Sequence, residues 1–244
     1  MTHPSPGSGD SGGVSWSGRE LSSTGFESDL GAADPKLLAA LDDPRDETAL
    51  MRAVAQARLL IPIVAAPRDR DPSGGPDTST DMAVVILTST DGHRAFPAFS
   101  SLKSLLAWDV TARPSPVTSS RAAQGAVSER CDVMLLDCGS GHERVLRPSM
   151  VWALAQQRDW LPAHTDPFVT QALLRATADE QDVVACSAKG DPAGSGILRV
   201  VLSLRAGLDA ARVQSLATRI GERIATDGEA RARIDGLSFT IRQA

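Results

Sequence analysis

The chain of 244 residues has three cysteines, an odd number too small for a disulfide framework, so reduced thiols are expected. It has no apolar run of about 18 residues, which excludes a membrane-spanning helix by sequence. Its N-terminus lacks a basic stretch followed by an apolar one, so the cytoplasm is the expected compartment. Lysine is scarce as well: Lys36, Lys103 and Lys189 stand among 25 basic residues, a bias that points to base composition rather than to arginine chemistry. Net charge is −5, and residues 1–34 carry five acids against Arg19, which leaves the remainder near −1. Such a body offers no electrostatic footprint for a phosphate backbone, so no nucleic-acid partner is expected.

Eighteen of the first 28 residues are Gly, Ser, Pro or Thr. A stretch so poor in apolar side chains cannot offset its ordering entropy, and residues 1–34 are expected to be a disordered tail. Beyond it, Leu50, Val54 and Ala57 recur at helical spacing and predict a helix over about 44–57, with Asp46 and Glu47 in its first turn. "RLLIPIVAA" follows as a strand that Pro62 assigns to an edge or a strand end. Residues 67–81 read as loop, and "MAVVILTSTDGHRAFPAF" as two strands joined at Asp91-Gly92. Ser100 or Ser101 caps a helix with Leu102, Leu105 and Leu106 on one face. A Pro/Ser/Thr loop over 111–120, a helix "RAAQGAVSER", a strand "DVMLLD", a strand "ERVL" and a helix from Ser149 complete this part.

Residues 158–166 carry Pro162 and have no period, which suits a linker. Thereafter come a short helix or strand near 168–177, the strands "DVVACSA" and "ILRVVLSL", and a helix with Val213, Leu216, Ile220 and Ile224 on one face. Asp209 is placed to cap that helix, and "LSFTIR" reads as a last strand. The expectation is an α+β protein: a mixed, largely antiparallel sheet with helices over 35–157, then a smaller ββαβ-like module over 167–244.

Chemistry concentrates in "MLLDCGSGHERVL", Met134 to Leu146. From residue 35 onward the chain has no nucleophile elbow, phosphate-binding loop or dinucleotide glycine loop. His142-Glu143 does not open a zinc-protease helix, because Leu146 stands where the second histidine is needed. Seven extended residues separate Cys131 from Cys138 by about 23 Å, on opposite strand faces, so they share neither a metal nor a disulfide. Cys138 and His142 differ: a turn at Gly139–Gly141 would set them across from each other, and they are the candidate catalytic pair, against the plain alternative of a hairpin turn. His93 reads as a solvent-facing strand residue, His164 as linker, and Cys186 as a small buried hydrophobe. Trp108, Trp152 and Trp160 read as packing residues at helix ends, with an interface near 152–160 as the alternative. No cofactor or metal site is expected.

The segments "LLAALDDPRDETALMRAVAQARLLIPI", "AFPAFSSLKSLLAW" and "DVMLLDCGSGHERVLRPSMVWAL" resemble the N-terminal domain of the SseB-like family, named for enhanced serine sensitivity. The resemblance covers about residues 35–157, and the part after 167 is similar to the C-terminal extension of actinobacterial members. It implies a non-enzymatic cytoplasmic protein with an accessory or regulatory role. It also implies Asn-Pro-Gly where this chain has Asp137-Cys138-Gly139, so Cys138 is a local substitution. The functional expectation is accordingly a protein-interaction or regulatory protein with a protein partner. A thiol-dependent enzyme using Cys138 and His142, in sulfur transfer or hydrolysis, is the alternative, and a small-ligand binding domain the second alternative.

Overall fold

The computed structural model describes residues 25–66, 81–190 and 195–244, the side chains of 65, 66, 81 and 82 excepted. The tail expected to be disordered lies outside the described residues over 1–24, as do the loop 67–80 and residues 191–194. Residues 31–244 form one compact unit of α+β architecture.

Helix α1 (Pro35–Asp42) starts where Asp34 accepts hydrogen bonds from the Lys36 and Leu37 amides, with Pro35 at the position that needs no donor. Helix α2 (Glu47–Gln56) is shorter than expected at its start. Asp46 does not lie in its first turn but caps it, accepting from the Ala49 amide at 2.8 Å. Leu37, Leu41, Leu50, Met51 and Val54 enter the main core.

Strand β1 (Arg58–Ala66) is not an edge. It is the centre of a sheet, between β2 (Asp81–Val84) and β5 (Arg113–Thr118), both antiparallel to it. The expectation failed because Pro62 sits where its missing donor is not needed by β5. Leu60 exchanges both backbone hydrogen bonds with Phe99, so its polar groups, and those of Pro62 two residues on, face away from β5. Opposite them in register, Pro116 and Pro114 likewise turn their nitrogens outward. Those two prolines concealed β5 inside what read as a loop.

The Asp91-Gly92 hairpin forms between β3 (Leu87–Thr88) and β4 (Arg94–Ala98), with Gly92 at φ +89°. Its first arm is divided, however: β2 pairs with β1, and only β3 pairs with β4. The second sheet runs β3-β4-β6-β7, where β6 (Val133–Leu136) is parallel to β4 and β7 (Arg144–Leu146) returns antiparallel. Helix α3 (Leu102–Trp108) is capped by Ser101, and it buries Leu105 while Leu106 stays 39% exposed. Helix α4 (Ser119–Ser128) begins two residues earlier than expected, capped by Thr118. Helix α5 (Pro148–Ala155) is apolar nearly all round and packs on α4.

In the second part, α6 (Pro167–Thr177), β8 (Val183–Gly190), β9 (Ile197–Leu204), α7 (Ala210–Thr226), α8 (Gly228–Arg233) and β10 (Gly236–Gln243) follow in order. Gly228 opens α8, a short helix between α7 and the last strand. The sheet order is β10-β9-β8, with β10 parallel and β8 antiparallel to β9. Leu216, Ile220 and Ile224 of α7 and Val169, Ala172 and Leu173 of α6 bury against Leu198, Val200, Leu202 and Leu204. Both helices thus lie on one face. Cys186 is only half buried, because β8 is an outer strand that the helices cover incompletely.

Candidate functional site

The stretch with the most chemistry is a loop of seven residues, Asp137 to Glu143, because β6 and β7 pair only as far as Leu136 opposite Arg144. It is wider than the three-residue turn expected. Asp137 holds it: the carboxylate is 2% exposed and accepts from the Ser100 amide at 2.8 Å and from Ser100 Oγ at 2.6 Å. Its φ of +51° is a conformation that Asp tolerates better than most residues. Glu143 turns back to accept from the Gly139 amide at 3.0 Å, and Ser140 Oγ accepts from the His142 amide at 3.1 Å. Glu143 and Ser140 therefore spend their polar atoms on the loop's own backbone.

Cys138 packs against Leu60, Phe99, Leu105 and Ala112, a small separate core that Leu102 and Trp108 complete. Burial first, and then the Glu143 carboxylate, push its thiol above the ordinary value. His142 instead meets Asp42, Nδ1 to Oδ1 at 3.3 Å, with both side chains largely exposed. No hydrogen bond joins Cys138 to His142. Burial also raises the thiols of Cys131 and Cys186. His93 is exposed between Asp91 and Asp132 at 3.6 Å each, and His164 lies against Gly190. Among the described residues, no group of three or more His, Cys, Asp or Glu is placed to hold a metal ion.

A different surface is concave. Helices α1 and α2 line an open groove of about 620 Å³ with Ala39, Ala40, Ala49 and Ala53. Its rim carries Lys36, Arg52 and Gln56 together with Asp34, Asp43 and Asp46. Those three acids are already engaged: Asp34 and Asp46 cap the two helices, and Asp43 accepts from the Arg45 amide. The alanine spacing on two consecutive helices was the sequence signal for this groove.

The family model of the SseB protein N-terminal domain matches residues 35–153, which takes in both helices of the groove, the small core and the Asp137 loop. This part of the chain belongs to the SseB family. No curated protein and no solved structure matches the chain. The matched region ends inside α5, the helix through which the SseB domain meets the rest of the unit.

At that end stands Arg147, whose side chain is 12% exposed. Both terminal nitrogens reach Glu47 of α2, and Nε donates to Asp235 Oδ2 at 2.9 Å. Burial works against the guanidinium's charge, but the hydrogen bonds and charges of Glu47 and Asp235 outweigh it and raise its pKa. Asp235 also accepts from the Ser149 amide and from Ser149 Oγ, both at 2.8 Å. Helix α5 has no side-chain cap of its own, and a residue 86 positions later supplies one. Trp160, 8% exposed, donates from Nε1 to Ser149 Oγ at 3.0 Å. Trp152 lies between the guanidinium groups of Arg158 and Arg233, each 5.2 Å from its ring centroid. Trp152 thus packs in the α5 and α8 contact, and Trp160 braces the start of α5. Sequence reasoning missed Arg147 and Asp235. The hint was an apolar helix opening Arg-Pro-Ser, with no acceptor where a cap belongs.

Proposed function

We infer that this chain is a non-enzymatic protein-interaction or regulatory protein that binds a protein partner through its SseB domain. The α1–α2 groove carries this reading: about 620 Å³ of open space lined by four alanines, with rim acids already engaged by backbone amides. Such a surface recognises shape and offers no nucleophile, acid or base positioned for a reaction. The raised Cys138 thiol and the separate partner of His142 favour the same reading over thiol catalysis. Among the described residues no helix is long and apolar enough to cross a membrane.

The test is capture from native lysate with the full chain and with Ala40→Arg and Ala53→Arg, substitutions that fill the groove. The expected result is a protein retained by the unsubstituted chain and lost from both variants. Identical captures by all three, or none by any, would sink the groove as the binding surface.

A further inference from the structure

A strand at the edge of a sheet leaves a row of unpaired backbone groups, and proteins blunt such edges with short strands, prolines, bulges or lysine. Five of the six edges described here are blunted in one of these ways. Strands β2, β3 and β7 have four, two and three residues. Strand β5 turns the nitrogens of Pro114 and Pro116 outward. Strand β8 has a register shift between Val183 and Ala185 and carries Lys189. Strand β10 has none of these features. It is eight residues long, free of proline, and in unbroken register with β9.

The orientation of its backbone follows from one bond. The Ala244 amide donates to the Leu204 carbonyl at 2.9 Å, so even-numbered residues face β9, and Leu237, Phe239 and Ile241 point their amides and carbonyls outward. The side chains of these three share the helix-covered face, where Phe239 lies 3.5 Å from the position of a Gly221 Cβ. Leu237 and Ile241 remain 36% and 39% exposed, beyond the cover that α7 provides.

We propose that β10 is a homodimerisation strand, pairing antiparallel with β10 of a second copy so that two three-stranded sheets become one of six. Centred on Phe239, the pairing exchanges hydrogen bonds between the outward groups of Leu237, Phe239 and Ile241. Leu237 then stands opposite Ile241 of the second copy on the helix-covered face, and each buries the other's exposed surface. Arg242 falls opposite Gly236, so no like charges oppose each other. Eight residues at about 3.3 Å rise make an edge of roughly 26 Å. With one helix layer behind it, the joined edge buries on the order of 1,000 Å² in total, the lower limit for a specific interface. The dimer is therefore concentration-dependent, in the micromolar range.

The full chain, followed by sedimentation from about 1 to about 200 µM, is expected to move from one chain mass of 25.6 kDa toward twice that mass. Ile241→Lys and Ile241→Pro, at an exposed position whose amide faces away from β9, are expected to stay at one chain mass throughout with an unchanged circular dichroism spectrum. Hydrogen exchange on the unsubstituted chain provides a second readout, with slow exchange at 237, 239 and 241 only at the high concentration. A chain that stays monomeric across the range, a dimer that survives both substitutions, or a dimer whose three outward amides exchange freely would overturn the proposal.

Discussion

In the SseB domain the strands apart from β1 run for only two to six residues, whereas the three strands of the C-terminal module have eight each. The polar side chains follow this difference. Short strands leave many backbone groups unpaired at their ends, and buried ones must find partners elsewhere. In the SseB domain, side chains serve them: Asp137 takes the Ser100 amide, Ser119 reaches the carbonyls of Val54 and Ala57 at the end of α2, and Arg58 donates to the carbonyls of Ser100 and Ala32. Arg144 does the same for Leu41. Long strands pair their own backbone, and in the C-terminal module charged side chains add ion pairs to backbone contacts such as the Arg223 bond to the Ala176 carbonyl. Glu180 binds Arg219 and Arg223, Asp182 binds Arg212, and Asp166 binds Arg233, around a core layered between one sheet and two helices. The side chains named in the SseB domain hold helix ends and loops, and those named in the C-terminal module also hold one another.

Arg147 stands where the two styles meet, taking one carboxylate from α2 and one from the residue before β10. Arg147→Ala would leave Glu47 and Asp235 facing each other without their cation in a largely buried place. A loss of about 3–5 kcal/mol is expected, or roughly 6–20 °C in melting temperature, measured by denaturant and thermal unfolding. Loss of a single cooperative transition would sharpen the comparison, by showing that this contact couples the regions. A loss below about 1 kcal/mol would mean that the pair contributes no more than a surface ion pair.

Asp137→Ala tests the loop-holding style within the SseB domain. It strands the buried Ser100 amide and hydroxyl and places a residue without the aspartate's tolerance at φ +51°, so about 2–3 kcal/mol should be lost. Asp137→Asn keeps one acceptor and the backbone preference and should lose about half as much. Equal stability of both variants and the unsubstituted chain would show that the loop is held by packing alone.

The smallest effect concerns Cys138. Because burial and Glu143 hold its thiol above the ordinary value, alkylation at neutral pH should be slow, should quicken as pH rises toward and past that value, and should not change in His142→Ala. Fast alkylation that slows in this variant would restore the thiol–imidazole pair as a catalytic candidate.

Elements with strong periods were legible in the sequence. Helix α7 with its Asp209 cap, the Asp91-Gly92 turn and the strands β6 and β9 rest on local spacing and cap chemistry, which the chain carries within a few residues. Strand β5 was hidden by Pro114 and Pro116, because whether a proline disrupts a ladder depends on which side of the strand the neighbour lies. The width of the Asp137 loop was equally hidden, since β6 and β7 stop pairing at Leu136 and Arg144, outside the glycines.

Sequence alone determined the α+β class and the family resemblance over the first part, because each depends on residue type and spacing along the chain. The tertiary structure alone decided that β1 is central, that Cys138 and His142 have different neighbours, and that Asp235 caps a helix 86 residues earlier. Those outcomes depend on contacts between residues far apart in sequence, where burial and hydrogen bonding choose among partners that local pattern cannot rank.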